Sequence, residues 1–402
     1  ILFTLNEPKP FDMSTGTLTE RSGAAQRSPS VDILRGAVMV LMAIDHVRVY
    51  SGLPAGGNTA GIFFTRWVTH FCAPAFAFLA GTSILLYGIA LNNKKKLAAY
   101  LITRGLFLVV LELTLIRFCW TFNLDFGNFI LAGIIWMLGW CMVLMAAFIW
   151  LRPAAVAIIG LLIIFLQQLF EYVPRVLPSN LRIPFGKFWE FIYPSGLEGP
   201  SGISILYVLV PWIGVMAAGY GFGLIIRMDP VKRRKICLWT GLSCIILFIV
   251  IGCSILLRQP TPEDAPPFLF RLLNQKKYPA SQLYLLMTLG PVIALVPYAE
   301  KAKGWLSRAL SIFGRVPMFY YLLHIPLIHV SALLFNYLMT GQPHQEWYNT
   351  APYVFMVPDE QKWQLSMLYL VYLVDLILLF LACRWYARYK RDHPENRWLK
   401  FV

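Results

Sequence analysis

The sequence predicts an all-α fold: a polytopic transmembrane bundle of about ten helices (ten or eleven), with no large soluble domain. Three observations carry this expectation. Of the 402 residues, 58% are apolar and 14% charged, against roughly 45–50% and about 25% in soluble domains. The apolar residues gather in about ten blocks, most of them roughly 17–25 residues long and so able to cross a bilayer. The net charge of +15 sits mainly at the ends of these blocks and not on one solvated face, which marks it as a topology signal. No nucleic-acid partner is expected, and the lipid bilayer is.

Taken in order, residues 1–30 are polar and contain no apolar run, so they read as a flexible cytoplasmic tail and not as a cleavable signal peptide. The apolar blocks follow at 31–50, 67–91, 97–117, 129–150, 153–170, 203–226, 236–257, 281–298, 312–339 and 365–387, separated by charged or Pro- and Gly-rich stretches. Together they define one membrane domain over 31–390, followed by a basic tail over 391–402. Alternate connections differ in basic content. The set 1–32, 92–97, Arg152, 227–235, 299–311 and 384–402 carries 21 Lys and Arg, and the set 51–66, 118–128, 171–202, 258–280 and 340–364 carries 9. By the positive-inside rule both termini are cytoplasmic, which an even number of spans requires. The close pair of blocks joined at Arg152-Pro153 is where the count is least certain.

The seven cysteines, Cys72, Cys119, Cys141, Cys237, Cys244, Cys253 and Cys383, lie in or at the ends of apolar blocks with no CxxC or CxxxH spacing. Neither a disulfide framework nor a metal site is implied. There is no Walker loop, GxSxG elbow or dinucleotide fingerprint, and no convincing internal repeat.

Ionisable groups at membrane depth are costly, which makes them the first candidates for function. In block one, Arg35 and His46 are eleven residues apart. That spacing is three helical turns plus about 20°, so they share a face roughly 16 Å apart along the axis. Met39 and Met42 lie on the same stripe. Asp45 cannot face His46 within a regular helix, and is expected to contact another helix or cap local polar groups. In block two, Pro74 removes the hydrogen bond that would reach the carbonyl of His70, and such breaks are tolerated where backbone lines a cavity. In block nine, Tyr320 and His324 are neighbours at i,i+4, and Pro326 is expected to kink the helix between His324 and His329. These four histidines all fall in the central or outer half of the membrane. A lone intramembrane histidine is as well explained by helix–helix hydrogen bonding as by catalysis; four converging on one half are harder to explain that way. For Arg66, Arg48 and His329 a structural role and a functional one are equally supported. Arg35, Arg104 and Arg315 are either cytoplasmic anchors that snorkel or holders of a polyanion entering from inside. The loop 171–202 combines Trp189, Phe191 and Tyr193 with Glu190 and Glu198, a weak signal for stacking on sugar rings, since interfacial loops share this composition.

The string Ser-Val-Asp-Ile-Leu-Arg-Gly-Ala-Val-Met-Val-Leu-Met-Ala-Ile-Asp-His (30–46) resembles the opening helix of the heparan-alpha-glucosaminide N-acetyltransferase-like membrane family. So do Phe-Phe-Thr-Arg-Trp-Val-Thr-His-Phe-Cys-Ala-Pro-Ala-Phe-Ala-Phe-Leu-Ala-Gly-Thr-Ser (63–83), Leu-Val-Pro-Trp-Ile-Gly-Val-Met-Ala-Ala-Gly-Tyr (209–220) and the Gly-Arg-Val-Pro segment through His329. The resemblance covers nearly all of 28–390, is greatest to a bacterial branch, and extends to transmembrane acyltransferases that decorate bacterial polysaccharides. It implies a multi-pass protein of the bacterial cytoplasmic membrane that takes an acyl group from acetyl-CoA (acyl-CoA) on one side and transfers it to a sugar or glycan amine or hydroxyl on the other. Lysosomal members carry their key histidine in the loop after the first helix. Residues 51–66 contain no histidine, so that assignment does not carry over.

On this reading Arg35, with Arg104 and Arg315, pairs with coenzyme A phosphates, and Met39 and Met42 accommodate the pantetheine arm. His46 is the general base, with His70 or His324 orienting it or stabilising the oxyanion; Asp45 completes the catalytic candidates. Arg66, Trp189 and His329 are the acceptor-side candidates. Direct transfer and an acetyl-histidine intermediate both remain open, and a homodimer is compatible with the sequence. The rival expectation is a secondary transporter or exporter of a small solute or glycan precursor, built on Pro- and Gly-broken helices. The unlike spacings of His70–Pro74 and His324–Pro326 argue mildly against it. A noncatalytic scaffold leaves the histidines unexplained.

Overall fold

A computed structural model describes residues 28–56, 59–195, 202–393 and 395–396; the tail before residue 28, Glu198 and most of 391–402 lie outside the described residues. The chain opens with α1 (Pro29–Tyr50), whose first-turn proline forfeits no helical hydrogen bond. Next come α2 (Ala60–Trp67), a 3-10 turn (Val68–Phe71) and α3 (Cys72–Leu91), joined in a single 32-residue rod. Pro74 frees the His70 carbonyl, as its ring position requires, and the Tyr284 hydroxyl donates to that carbonyl at 2.7 Å. After the Asn93 cap, α4 (Lys94–Leu111) passes through a π turn (Glu112–Ile116) into α5 (Arg117–Thr121).

Strand β1 (Ile130–Ala132), α6 (Ile134–Phe148), α7 (Pro153–Phe165), a 3-10 segment (Gln167–Val176) and α8 (Ser179–Trp189) follow. Then come β2 (Ile203–Ile205), α9 (Trp212–Ile226), α10 (Pro230–Arg258), α11 (Phe268–Leu273), α12 (Gln282–Lys301), α13 (Trp305–Arg315), α14 (Pro317–Thr340) and α15 (Leu365–Asp392). β1 and β2 pair in parallel, Ile130 opposite Ile203.

Among the described residues six helical segments are long and apolar enough to span a bilayer, or seven if α7 and the 3-10 segment bent from it by 68° count as one. The expected figure of about ten is not reached by this measure, for visible reasons. Blocks 129–150 and 203–226 begin as the paired strands, which shortens α6 and α9 to 15 residues each. α1 has 22 residues but carries Asp32, Arg35, Asp45 and Arg48. Block nine is two helices: the chain breaks at Val316–Pro317, and α14 continues through Pro326, the position of the expected kink.

α1 is the hub, packing against α3, α12, α13, α14 and α15. Its contact with α13 is backbone to backbone. A Cβ on Gly36 would lie 1.9 Å from the Leu310 carbonyl oxygen, and one on Gly314 would lie 1.9 Å from that of Asp32. Small residues that let backbones touch are how membrane helices associate when lipid is as apolar as leucine. By contrast α10 presents Trp239, Leu242, Ile246 and Val250 outward, as a lipid-facing helix should.

Candidate active site

A cavity of about 490 Å³ opens among the loops that follow α1, precede α12 and precede α15. It reaches inward to Met42, Cys72 and Glu112, and it is lined from four of the five connections that are poor in Lys and Arg or from the helix ends beside them. At its inner end lies His46. The His46 ring packs 4.7 Å edge-on to Trp120 and stacks on His324 at 4.8 Å.

The hydrogen bonds of this pair fix its tautomers. His324 Nδ1 lies 2.7 Å from the Tyr321 carbonyl oxygen and 3.1 Å from that of Tyr320. Carbonyls only accept, so Nδ1 carries the proton, and in a neutral ring Nε2 offers a lone pair. His46 Nδ1 lies 2.8 Å from that Nε2 and therefore donates to it. His46 Nε2 is left unprotonated, has no hydrogen-bond partner among the described residues, and belongs to a half-buried ring on the cavity wall. A basic nitrogen held by a second histidine, which is held in turn by backbone, is the arrangement a general base requires.

Around this pair a largely apolar wall carries side chains of both charges. Asp45 pairs with Arg48 one turn along α1 at 2.9 Å, the local one of its two expected roles, and among the described residues it makes no ion pair to another helix. Arg48 also donates to the Leu53 carbonyl at 2.9 Å, and Arg66 to that of Ala55 at 3.1 Å. Lys277 lies over the rings of Tyr278 and Tyr207, at 5.1 and 5.8 Å. At the mouth, burial pushes the Tyr353 phenol above its ordinary range, keeping it a neutral donor.

Two buried ionisable side chains at membrane depth are absent from the candidates that the sequence singles out. Glu112 is 1% exposed, lines the cavity from the π turn, and accepts the Ile135 N–H through Oε2 at 3.2 Å. Arg117 is fully buried and donates to the carbonyls of Asn123, Asp125 and Phe129, fastening the loop that leads into β1 and so to the wall bearing Gly133. The available signal is the same one applied to the histidines: Glu and Arg inside an apolar run, at 112 and 117.

The other candidates fall elsewhere. His70 is buried at the α2–α3 junction, hydrogen-bonded to the carbonyls of Arg66 and Trp67, and faces a separate crevice beside Asn274. His329 is wedged against Phe122 at 3.9 Å and tied to Cys119 and Gln345. Of the four membrane histidines, then, His46 and His324 meet, and His70 and His329 stand apart. Trp189 donates its indole N–H to Phe170 and stacks on Phe185, away from the cavity. Met42 lines the cavity; Met39 is 1% exposed beneath it, its carbonyl accepting the Tyr320 hydroxyl at 2.9 Å. Arg35 reaches Asp32, the Ser83 hydroxyl and the Gly314 carbonyl, where α1, α3 and α13 meet. Arg104 lies on Tyr100 of its own helix, and Arg315 is exposed at the end of α13. These three guanidinium groups sit on three different helices, and none lines the cavity.

No curated protein matches the chain. The profile of one family, heparan-alpha-glucosaminide N-acetyltransferase, catalytic, matches residues 27–262. This range holds α1 with Arg35 and His46, the broken α2–α3 rod, and Glu112; His324 lies beyond it. A match over more than half of the chain, on a multi-pass helical protein with a histidine lining a cavity, places it: the chain belongs to the heparan-alpha-glucosaminide N-acetyltransferase catalytic family, a family of membrane acetyltransferases.

Proposed function

We propose that the protein transfers an acetyl group from acetyl-CoA to an amine or hydroxyl of a sugar or glycan, within the cavity that His46 closes. The observation that carries this reading is the His46–His324 pair, with His46 Nε2 unprotonated on the cavity wall. As the acceptor attacks the thioester carbonyl carbon, His46 Nε2 takes its proton. The thiolate of coenzyme A then leaves and recovers that proton from His46, restoring the starting tautomer. His324 holds His46 in register by accepting its Nδ1–H. The cavity volume of about 490 Å³ is within the range of small-molecule sites, roughly 300–1,000 Å³, and suits a sugar beside the acyl end of the donor.

The charge asymmetry of the connections supports cytoplasmic termini, with the cavity mouth on the opposite side, and the resemblance to a bacterial branch supports a bacterial inner membrane. A donor reaching from inside would place its phosphates near Arg35, with Arg104 and Arg315 as further contacts, and its thioester roughly 16 Å away at His46. The Met39–Tyr320 layer lies between, so this route requires that layer to part. A cavity open on one side is also what a transporter presents in one state, and the two readings are separated by turnover. Purified protein in nanodiscs is expected to acetylate glucosamine-type acceptors from labelled acetyl-CoA, and His46→Ala to lower the rate about 10²–10⁴-fold. Full activity in His46→Ala, or solute uptake without acetyl-CoA turnover, overturns the proposal.

A further inference from the structure

The reading above leaves the acceptor's reacting group open, and a second ionisable residue lining the cavity bears on it. Glu112 is a carboxylate 1% exposed at the start of a π turn, a local helix distortion that recurs at functional sites. Its Oε2 accepts the Ile135 N–H at 3.2 Å, at a helix start whose N-cap, Gly133, has no side chain to supply. Its Oε1 is buried with no hydrogen-bond partner. Among the described residues no Lys, Arg or His pairs with Glu112, although Arg48, Arg66, Lys277 and Lys362 stand elsewhere on the same cavity wall. A Cβ at Gly133 would lie 2.2 Å from Oε1, so only glycine at this position leaves room for that oxygen.

A buried carboxylate needs donors on both oxygens or a cation. The protein supplies a backbone donor to Oε2 and leaves Oε1 without one, on a side chain that lines the same cavity as His46. The geometry points to Glu112 as a catalytic residue that receives the protonated primary amine of an amino-sugar acceptor at Oε1 and takes its first proton. This inference rests on the acyl-transfer reading.

The sequence of events balances. The ammonium nitrogen of the acceptor donates to Oε1 and passes one proton to the carboxylate, giving a neutral amine and a neutral Glu112 acid. The amine lone pair forms the new C–N bond at the thioester carbonyl carbon, the C–S bond breaks, and its electron pair leaves on sulfur. His46 Nε2 removes the second proton from nitrogen and delivers it to the thiolate, releasing free coenzyme A. Glu112 returns its proton to water once the amide has left. Two groups lining one cavity thus handle the two protons an amine must shed, whereas a hydroxyl acceptor has one to lose and needs only His46.

The test measures binding and turnover separately in the full-length protein in nanodiscs. Without donor, the wild-type protein is expected to bind glucosamine at least tenfold more tightly than the uncharged N-acetylglucosamine, and Glu112→Gln to lose that preference. With acetyl-CoA, Glu112→Gln is expected to lower kcat/KM for glucosamine at least 100-fold while changing the KM for acetyl-CoA and the slow hydrolysis of acetyl-CoA by water less than threefold. The amide of this variant still offers an oxygen to the Ile135 N–H, and Glu112→Asp, which keeps the charge on a shorter arm, is expected to retain a weakened preference. Absence of amine preference in the wild type, its retention in Glu112→Gln, or equal loss of glucosamine and water turnover overturns the assignment, the last identifying Glu112 as a cap of α6 alone. An intact, Glu112-dependent amine preference with no acetyl transfer refutes the acyl-transfer reading while leaving the ammonium site standing.

Discussion

Replacing His324 probes the link between the histidine pair and catalysis without touching the reacting nitrogen. In His324→Leu the His46 Nδ1–H loses its acceptor at 2.8 Å, in a position shielded by Trp120 and Tyr321. The neutral imidazole is then free to place its proton on either nitrogen and to rotate. A hydrogen bond of this kind contributes about 1–1.5 kcal/mol net, so the productive tautomer and rotamer fall roughly 5–10-fold. Loss of orientation extends the effect to about 10–100-fold, the range found for groups that hold a reacting ligand in place. His324→Gln offers a side-chain oxygen near the former Nε2 and is expected to keep the rate within about fivefold. The assay is steady-state acetylation of glucosamine in nanodiscs, with His46→Ala and the double variant His46→Ala/His324→Leu alongside. Because the pair acts as a unit, the double variant is expected to be no slower than His46→Ala alone. Wild-type activity in His324→Leu, or additive losses in the double variant, would refute the reasoning.

Other consequences follow from particular contacts. Gly314→Ala places a methyl 1.9 Å from the Asp32 carbonyl oxygen and is expected to separate α1 from α13 and cost about 1–3 kcal/mol, read as a lower unfolding temperature; an unchanged temperature contradicts the close packing. Arg117→Ala removes three guanidinium contacts to carbonyls. Hydrogen exchange over 122–132 is expected to rise with a stability loss of about 3 kcal/mol or more, and unchanged protection would show the loop to be held otherwise. For orientation, Phe355→Cys, 83% exposed at the cavity mouth, is expected to react with a membrane-impermeant maleimide in intact cells, and Lys303→Cys only after permeabilisation. The reverse pattern overturns the assigned sides.

Periodicity and charge make the helices legible, because lipid requires nearly every spanning backbone group to be bonded within its own helix. They leave the pairing of β1 with β2 hidden, since Phe-Ile-Leu-Ala at 129–132 and Gly-Ile-Ser-Ile at 202–205 are as apolar as helix starts and find each other across more than 70 residues. Pro74 is legible as a break because its effect is local; the partner that satisfies the freed carbonyl, Tyr284, lies 214 residues away. Pro317 acts locally in the same way, dividing block nine into two helices, while α14 continues past Pro326. In the candidate site, His46 and His324 stand out as scarce polar groups, yet their contact spans 278 residues, and no spacing rule distinguishes it from the separate settings of His70 and His329. Glu112 is visible by the same criterion of scarcity. Its proposed role depends on its hydrogen bond to the start of α6 and on its approach to Gly133, both of which exist only in the folded molecule.

The most direct measurement is an experimental structure of the protein with a non-transferable thioether analogue of acetyl-CoA bound. The account predicts the acyl carbonyl in the cavity, with room for an acceptor atom about 3–3.5 Å from both its carbon and His46 Nε2, and His324 still accepting from His46 Nδ1. An acyl end bound away from the His46 cavity, or a cavity that takes no donor while the protein remains active, would contradict it.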